Sequence, residues 1–413
     1  MNLADNYSQY INLMIEIKPN ISHRSSCPYC QLSLKPDKVI WQGMHTCVKS
    51  TCIQCNVDII DDLKVGHAVN YSYQLDVLQG KFWGRKNEED WLGRPLLESL
   101  QNPKYEEVKI SKEVFKKCSR VVILNCIDFL YGHCLLKLLN AQRHLEYNAD
   151  YGLIIIIQNF LRWMVPDGIA ELWIVDIPLK NAHFYYPNLD RFIWEESNRF
   201  DEIYVSKADS HPSQFSVTEF TRVPTYKFNR ENFRITFIWR EDRIWCNLLL
   251  RRAFRKLGLY DFALLLQNWR VRSLFNQLRL KIPSARFAIA GLGKKTAFPA
   301  WIEDLRVDKF DEKVERELCQ LYSNSTLVIG VHGSSMLLPS GHAGMTIDLM
   351  LNGKEERWHN FAQDILYQET DPRLAAFRYR YVSFETSTAE CARIASSMIL
   401  DYWEFSTNMT VKR

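Results

Sequence analysis

A chain of 413 residues, 47% apolar and 24% charged, has the composition of a globular protein with room for two or three domains. Its 52 basic and 48 acidic residues leave a formal charge of +4, too small to mark a nucleic-acid binder, in which basic residues dominate a domain. The most apolar run, 153–157, is far short of the roughly 20 residues that cross a bilayer, and no cationic start with an apolar block opens the sequence, so a cytoplasmic protein is expected.

In chain order, residues 1–26 read as a leader. Residues 27–62 then hold Cys27-Pro-Tyr-Cys30 and Cys52-Ile-Gln-Cys55. Each C-x-x-C turns its backbone so that both sulfurs face one point, and two such knuckles make a tetrahedral thiolate site for structural zinc. A closed four-thiolate site has no open position for chemistry, so its expected task is to fold a small zinc ribbon. His45 and Cys47 are spare ligands. The other six cysteines are scattered, without a disulfide framework. Residues 63–115, polar and rich in Gly and Pro, read as a connector pinned by Trp83 and Trp91.

An α/β pattern starts near residue 120. Strands are expected at 121–124, 152–157, 172–175 and 203–205, with helical spacing at 135–145 and 160–165. A second series follows: a strand at 234–239, helices at 246–257 and 262–280, a strand at 287–290, a helix at 311–322, strands at 327–330 and 345–349, and a last helix at 388–403. Alternating strands and helices predict parallel sheets with helices on both faces. Two such domains are expected, 116–228 and 229–385, followed by a C-terminal helical segment, 386–413.

The densest chemistry lies in the second domain. The apolar strand 327–330 runs into Gly330, His332, Gly333, Ser334 and Ser335, and an apolar helix start follows. A strand, a small-residue turn and a helix start present backbone N–H groups whose partial positive charge favours phosphate. The spacing suits the diphosphate of a nucleotide sugar.

These residues carry a resemblance. The strand ending at Arg240, and the later Gly330-Val-His332-Gly333-Ser334-Ser335-Met336, are similar to motifs of glycosyltransferase family 61, whose members show Gly-x-His-Gly-Ala-Gly-Leu. Gly132-His133-Cys-Leu-Leu resembles that family's Gly-His-Phe helix opening. The resemblance spans about residues 120–350 and leaves out the ribbon. Ser334 and Ser335 stand where Ala and Gly are usual, and Leu338 where Asn is common. The resemblance implies a GT-B fold, two Rossmann-like domains facing a cleft, and transfer of a sugar from a nucleotide-sugar donor to an acceptor hydroxyl. The acceptor could be a glycan, a lipid-linked glycan or a protein. Arg240 and Arg243 would grip the phosphates with Gly330, His332, Gly333, Ser334 and Ser335, since a planar guanidinium holds phosphate oxygens in pairs. No convincing Asp-x-Asp occurs at a strand end, so no catalytic metal is expected. An inverting reaction needs a base for the acceptor proton. Asp128 and His133, flanking a loop after a strand of the first domain, are the candidates.

Two features stand apart. Gly291-Leu-Gly293-Lys294-Lys295 lacks the full spacing of a phosphate loop and reads as a strand-end turn. Residues 251–281 are basic with Asp261 as the only acid, which allows contact with a membrane surface at the cytoplasmic face. The competing readings are a zinc-ribbon protein associated with nucleic acid, against which the modest charge argues, and a non-catalytic nucleotide-sugar binder.

Overall fold

The computed structural model describes residues 13–229, 231, 233–246, 250, 253, 254, 256–350, 366, 369 and 371–409. The chain divides into two compact units, Met1–Phe215 and Ser216–Arg413. Each has its own sheet and its own buried core.

In the first unit the strand β1 (Met14–Lys18) lies at one edge of a six-stranded sheet. A small two-stranded ladder, β2 (Ser25–Ser26) with β3 (Ser33–Leu34), holds the first cysteine pair. Five antiparallel strands form a separate sheet: β4 (Pro36–Trp41), β5 (Thr46–Cys52), β6 (Val57–Asp62), β7 (Gln74–Asp76) and β8 (Lys81–Trp83). The remaining strands, β9 (Ile110–Val114), β10 (Arg120–Asn125), β11 (Gly152–Gln158), β12 (Glu171–Val175) and β13 (Glu202–Ser206), complete the large sheet in the order β1-β13-β10-β11-β12-β9. Its four central strands are parallel, and β1 and β9 close the edges antiparallel. Every residue of β11, Gly-Leu-Ile-Ile-Ile-Ile-Gln, is buried, as expected of a strand covered on both faces. The segment read as a leader thus supplies an edge strand. The one read as a connector supplies β7, β8 and β9.

The second unit has β14 (Arg234–Trp239), β15 (Arg286–Leu292), β16 (Ile302–Val307), β17 (Leu327–Val331), β18 (Met345–Met350) and β19 (Tyr379–Ser383). They lie in the order β16-β15-β14-β17-β18-β19, and all neighbours are parallel. The chain begins at the centre, steps outward on one side, then crosses back and steps outward on the other. This is the strand order of a Rossmann-like doubly wound sheet. The helices Tyr260–Lys281 and Thr388–Leu400 contribute to one core with the sheet, through Leu274, Phe275, Leu278, Ala392 and Ala395. The helix Glu312–Ser323 starts where the Asp311 carboxylate accepts from the Val314 N–H at 2.9 Å.

Several elements differ from expectation. The stretch 135–145 is two helices, Tyr131–Leu138 and Asn140–Tyr147, and 160–165 is a 3-10 turn, Asn159–Met164. β16 and β19 lacked an apolar signature because they are edge strands, with charged residues at Glu303, Asp304, Arg306 and Arg380. The helix expected at 246–257 includes Arg251, Arg252 and Arg255, which lie outside the described residues.

Candidate functional site

In a doubly wound sheet the chain leaves two neighbouring central strands in opposite directions. The loops part there, and ligands bind beyond the carboxyl ends. In the second unit those strands are β14 and β17. Arg240 and Arg243 follow β14; His332, Gly333, Ser334 and Ser335 follow β17. The residues expected to hold a diphosphate therefore meet at the switch point. Arg243 Nη1 donates to the His332 carbonyl at 2.8 Å. Arg240 Nη1 donates to Ser335 Oγ at 3.1 Å and to the same carbonyl at 3.4 Å. Its other face pairs with Asp242, Nε to Oδ1 at 2.9 Å.

Gly333 has φ of 136°, a conformation that L side chains rarely adopt. A Cβ there would stand 2.7 Å from Nη1 of both Arg240 and Arg243. Two guanidinium groups thus converge on a turn whose own side chain is missing. Gly330 works differently: a Cβ would lie 2.3 Å from Met336 Sδ, so this glycine makes room for the packing beneath the turn. His332 Nδ1 lies 2.8 Å from Asp348 Oδ2, which also accepts from the Tyr379 hydroxyl at 3.0 Å. Asp348 is fully buried on β18, and its Oδ1 has no hydrogen-bond partner among the described residues. This carboxylate fixes His332 Nδ1 as the protonated nitrogen.

The first unit has its own switch point, between β10 and β13. Asp128 and His133 follow β10, and Asp209 follows β13. The turn Gly66–Val69 brings His67 to them. His67 Nε2 donates to Asp128 Oδ2 at 2.8 Å, and Lys137 Nζ donates to the same oxygen at 2.8 Å and to the Ile127 carbonyl at 3.0 Å. Asp128 Oδ1 accepts from the Leu130 N–H at 3.1 Å. The His133 ring meets the His67 ring at 4.5 Å, Trp91 packs on both, and His133 Nδ1 has no hydrogen-bond partner among the described residues.

The electrostatics follow from burial. Burial alone would push the Asp128 carboxyl up, but the Lys137 ammonium and His67 overcome it and hold it well below the usual carboxylate range. Burial lowers Lys137, and the Asp128 charge more than restores it. Burial brings His133 down to about 4, against the pull of Asp128, so the imidazole is neutral near pH 7. Burial lowers His67 as well. The atoms of His67, Asp128 and His133 lie within 4.8 Å of one another, close enough for a metal ion. The Lys137 ammonium shares the Asp128 Oδ2 with His67 at 2.8 Å.

The four cysteines of the ribbon segment have sulfurs within 4.8 Å of one another. Cys27 and Cys55 are 3.9 Å apart, Cys30 and Cys52 3.6 Å. Four sulfurs at the usual zinc–thiolate bond length of a tetrahedral site would be about 3.8 Å apart. Each knuckle closes in the same way: the Gln31 N–H donates to the Cys27 carbonyl and the Asn56 N–H to the Cys52 carbonyl, both at 2.8 Å. Gln31 and Asn56 both take positive φ, 63° and 52°. The quartet fits a structural zinc ion. His45 and Cys47 are not part of it; both face the buried Asp62, at 2.9 and 4.0 Å.

His67, Lys137, Asp209, Asp348 and Tyr379 were not anticipated. Two had a signal: Lys137 interrupts an apolar helix face and Asp348 an apolar strand, and a charge so placed requires a partner. His67 had none, because sixty-one positions separate it from Asp128. At the end of β15, Gly293 packs under Glu241, whose Cδ lies 2.2 Å from where a Cβ would stand, so the turn is shaped by packing. No protein-family model matches this chain, and no curated protein matches it either.

Proposed function

We propose that the protein is a glycosyltransferase of the GT-B, family 61 kind, moving a sugar from a nucleotide-sugar donor to an acceptor hydroxyl with inversion and without a catalytic metal. The observation that carries this reading is the convergence of Arg240 and Arg243 on the Gly333 turn at the switch point of a Rossmann-like sheet. Two adjacent guanidinium groups favour a multiply charged oxyanion, and a nucleoside diphosphate leaving group develops such charge as its bond to the sugar breaks. The acceptor oxygen forms a bond to the anomeric carbon, the diphosphate oxygen leaves with the electron pair, and the acceptor proton passes to a base.

His133 is assigned as that base, being neutral at pH 7 with a buried Nδ1 that has no hydrogen-bond partner among the described residues. Asp128, with its oxygens taken by Lys137, His67 and Leu130, is assigned to positioning. The acceptor is a glycan, a lipid-linked glycan or a protein. The test is calorimetry and thermal shift with uridine, guanosine, adenosine and cytidine diphosphates and their sugars. At least one should bind wild type and be lost in Arg240→Ala/Arg243→Ala with the fold intact. Equal affinity in that variant, or no binding of any of them, overturns the reading.

A further inference from the structure

The helix Tyr260–Lys281 buries one face, including Ala263, Leu264, Val271, Leu274 and Leu278. Its opposite face should be polar. Instead Phe262, Leu265 and Trp269, spaced three and four apart, are 59%, 57% and 61% exposed, and Leu257, Leu259 and Tyr260 are exposed just ahead of them. A contiguous apolar surface of this kind marks an interaction site.

Cations rim it. Lys256, Lys294, Lys295 and Arg272 are exposed, with the acids Asp261, Glu241 and Asp242 facing Tyr260 among them and Asp242 paired with Arg240. Lys295 Nζ stands 5.0 Å from the centre of the Tyr260 ring, which ties the glycine–lysine turn after β15 to this surface. The Tyr260 hydroxyl donates to the carbonyl of Glu241, the residue after Arg240. The surface therefore lies at the carboxyl end of β14 and β15, the same end as the candidate anion site.

We infer that the 257–269 surface, with Lys256, Lys294 and Lys295, docks this protein on an anionic phospholipid bilayer. Lysine beside Trp, Tyr, Phe and Leu is the composition of a membrane-interface surface, where the rings enter the headgroup region and ammonium groups meet lipid phosphates. Protein–protein interfaces instead deplete Lys and favour Arg. The inference does not depend on the donor reading.

The test is sedimentation of the full chain with vesicles of phosphatidylcholine alone or mixed with phosphatidylglycerol. Binding should be at least about tenfold stronger to the mixed vesicles and should weaken with salt. Lys256→Gln/Lys294→Gln/Lys295→Gln should lower partition by about a hundredfold. Leu265→Glu/Trp269→Glu should abolish it. Both variants change exposed side chains and should melt like wild type. Equal binding to both vesicle types, or wild-type partition in either variant, overturns the inference. So does a wild-type dimer that Leu265→Glu/Trp269→Glu converts to monomer, which would assign the face to a second copy.

Discussion

Gly333 and Lys137 show how single positions set the chemistry of each unit. Gly333 combines a left-handed φ with two arginines 2.7 Å from where a Cβ would stand. Gly333→Ala should strain the turn by roughly 1–3 kcal/mol and push the guanidinium groups apart. Titration should show nucleoside diphosphate affinity falling by at least about tenfold. Lys137 and Asp128 are a fully buried ion pair. Removing one partner leaves an uncompensated charge, so Asp128→Asn should cost about 3–5 kcal/mol, read as a drop of about 10 °C in the first unit's melting temperature. His133, brought to about 4 by burial, predicts transfer that is flat with pH from 8 down to about 5 and absent in His133→Ala with donor binding retained.

His144 belongs to the same scale. It is buried between Ser206 and Asn148, and burial lowers it to about 4 from 6.5. As pH falls below about 6.5 the unfolded chain takes up this proton first, so the folded state loses stability until about pH 4, by up to about 3 kcal/mol. His144→Gln should therefore cost stability at pH 7.5, and denaturant titration should show that cost shrinking as pH falls through this window.

At the scale of elements, the two knuckles are short loops with little apolar surface; Cys27, Leu34, Cys52 and Ile59 are their whole buried cluster. Below such a core size a metal supplies the folding energy. Cys30→Ser, or a strong chelator, should unfold β2, β3 and the β5–β6 turn, seen as loss of amide protection there. The amides of β14 and β17 should be unaffected. Protection unchanged at the knuckles would remove the zinc site. The edge strands carry a different lesson. β1 and β9 close the large sheet antiparallel, and segments polar enough to pass for leader and connector were required for that, since an edge needs charge against further pairing.

For the whole molecule, each unit has its own sheet and core. Calorimetry should therefore resolve two transitions. A nucleoside diphosphate should raise only that of Ser216–Arg413, by mass action, and a chelator should lower only that of Met1–Phe215. Among the described residues no helix is long and apolar enough to cross a membrane.

The sequence by itself determined what depends on neighbours in the chain. The cysteine knuckles were legible because both ligands of each pair sit on one turn. The buried strands β10, β11, β14 and β17 were legible because burial on both faces demands an apolar run, and the Gly333 turn because small residues directly after a strand allow a tight turn into a helix. Tertiary structure decided what depends on pairing over distance. Strand order put Arg240 beside Gly333, ninety-two positions from His332. Folding of the small sheet carried His67 to Asp128. A parallel sheet leaves its order open, since each strand could pair with several others at similar cost; only the packed core and the crossovers select one, and with it the residues that share a site.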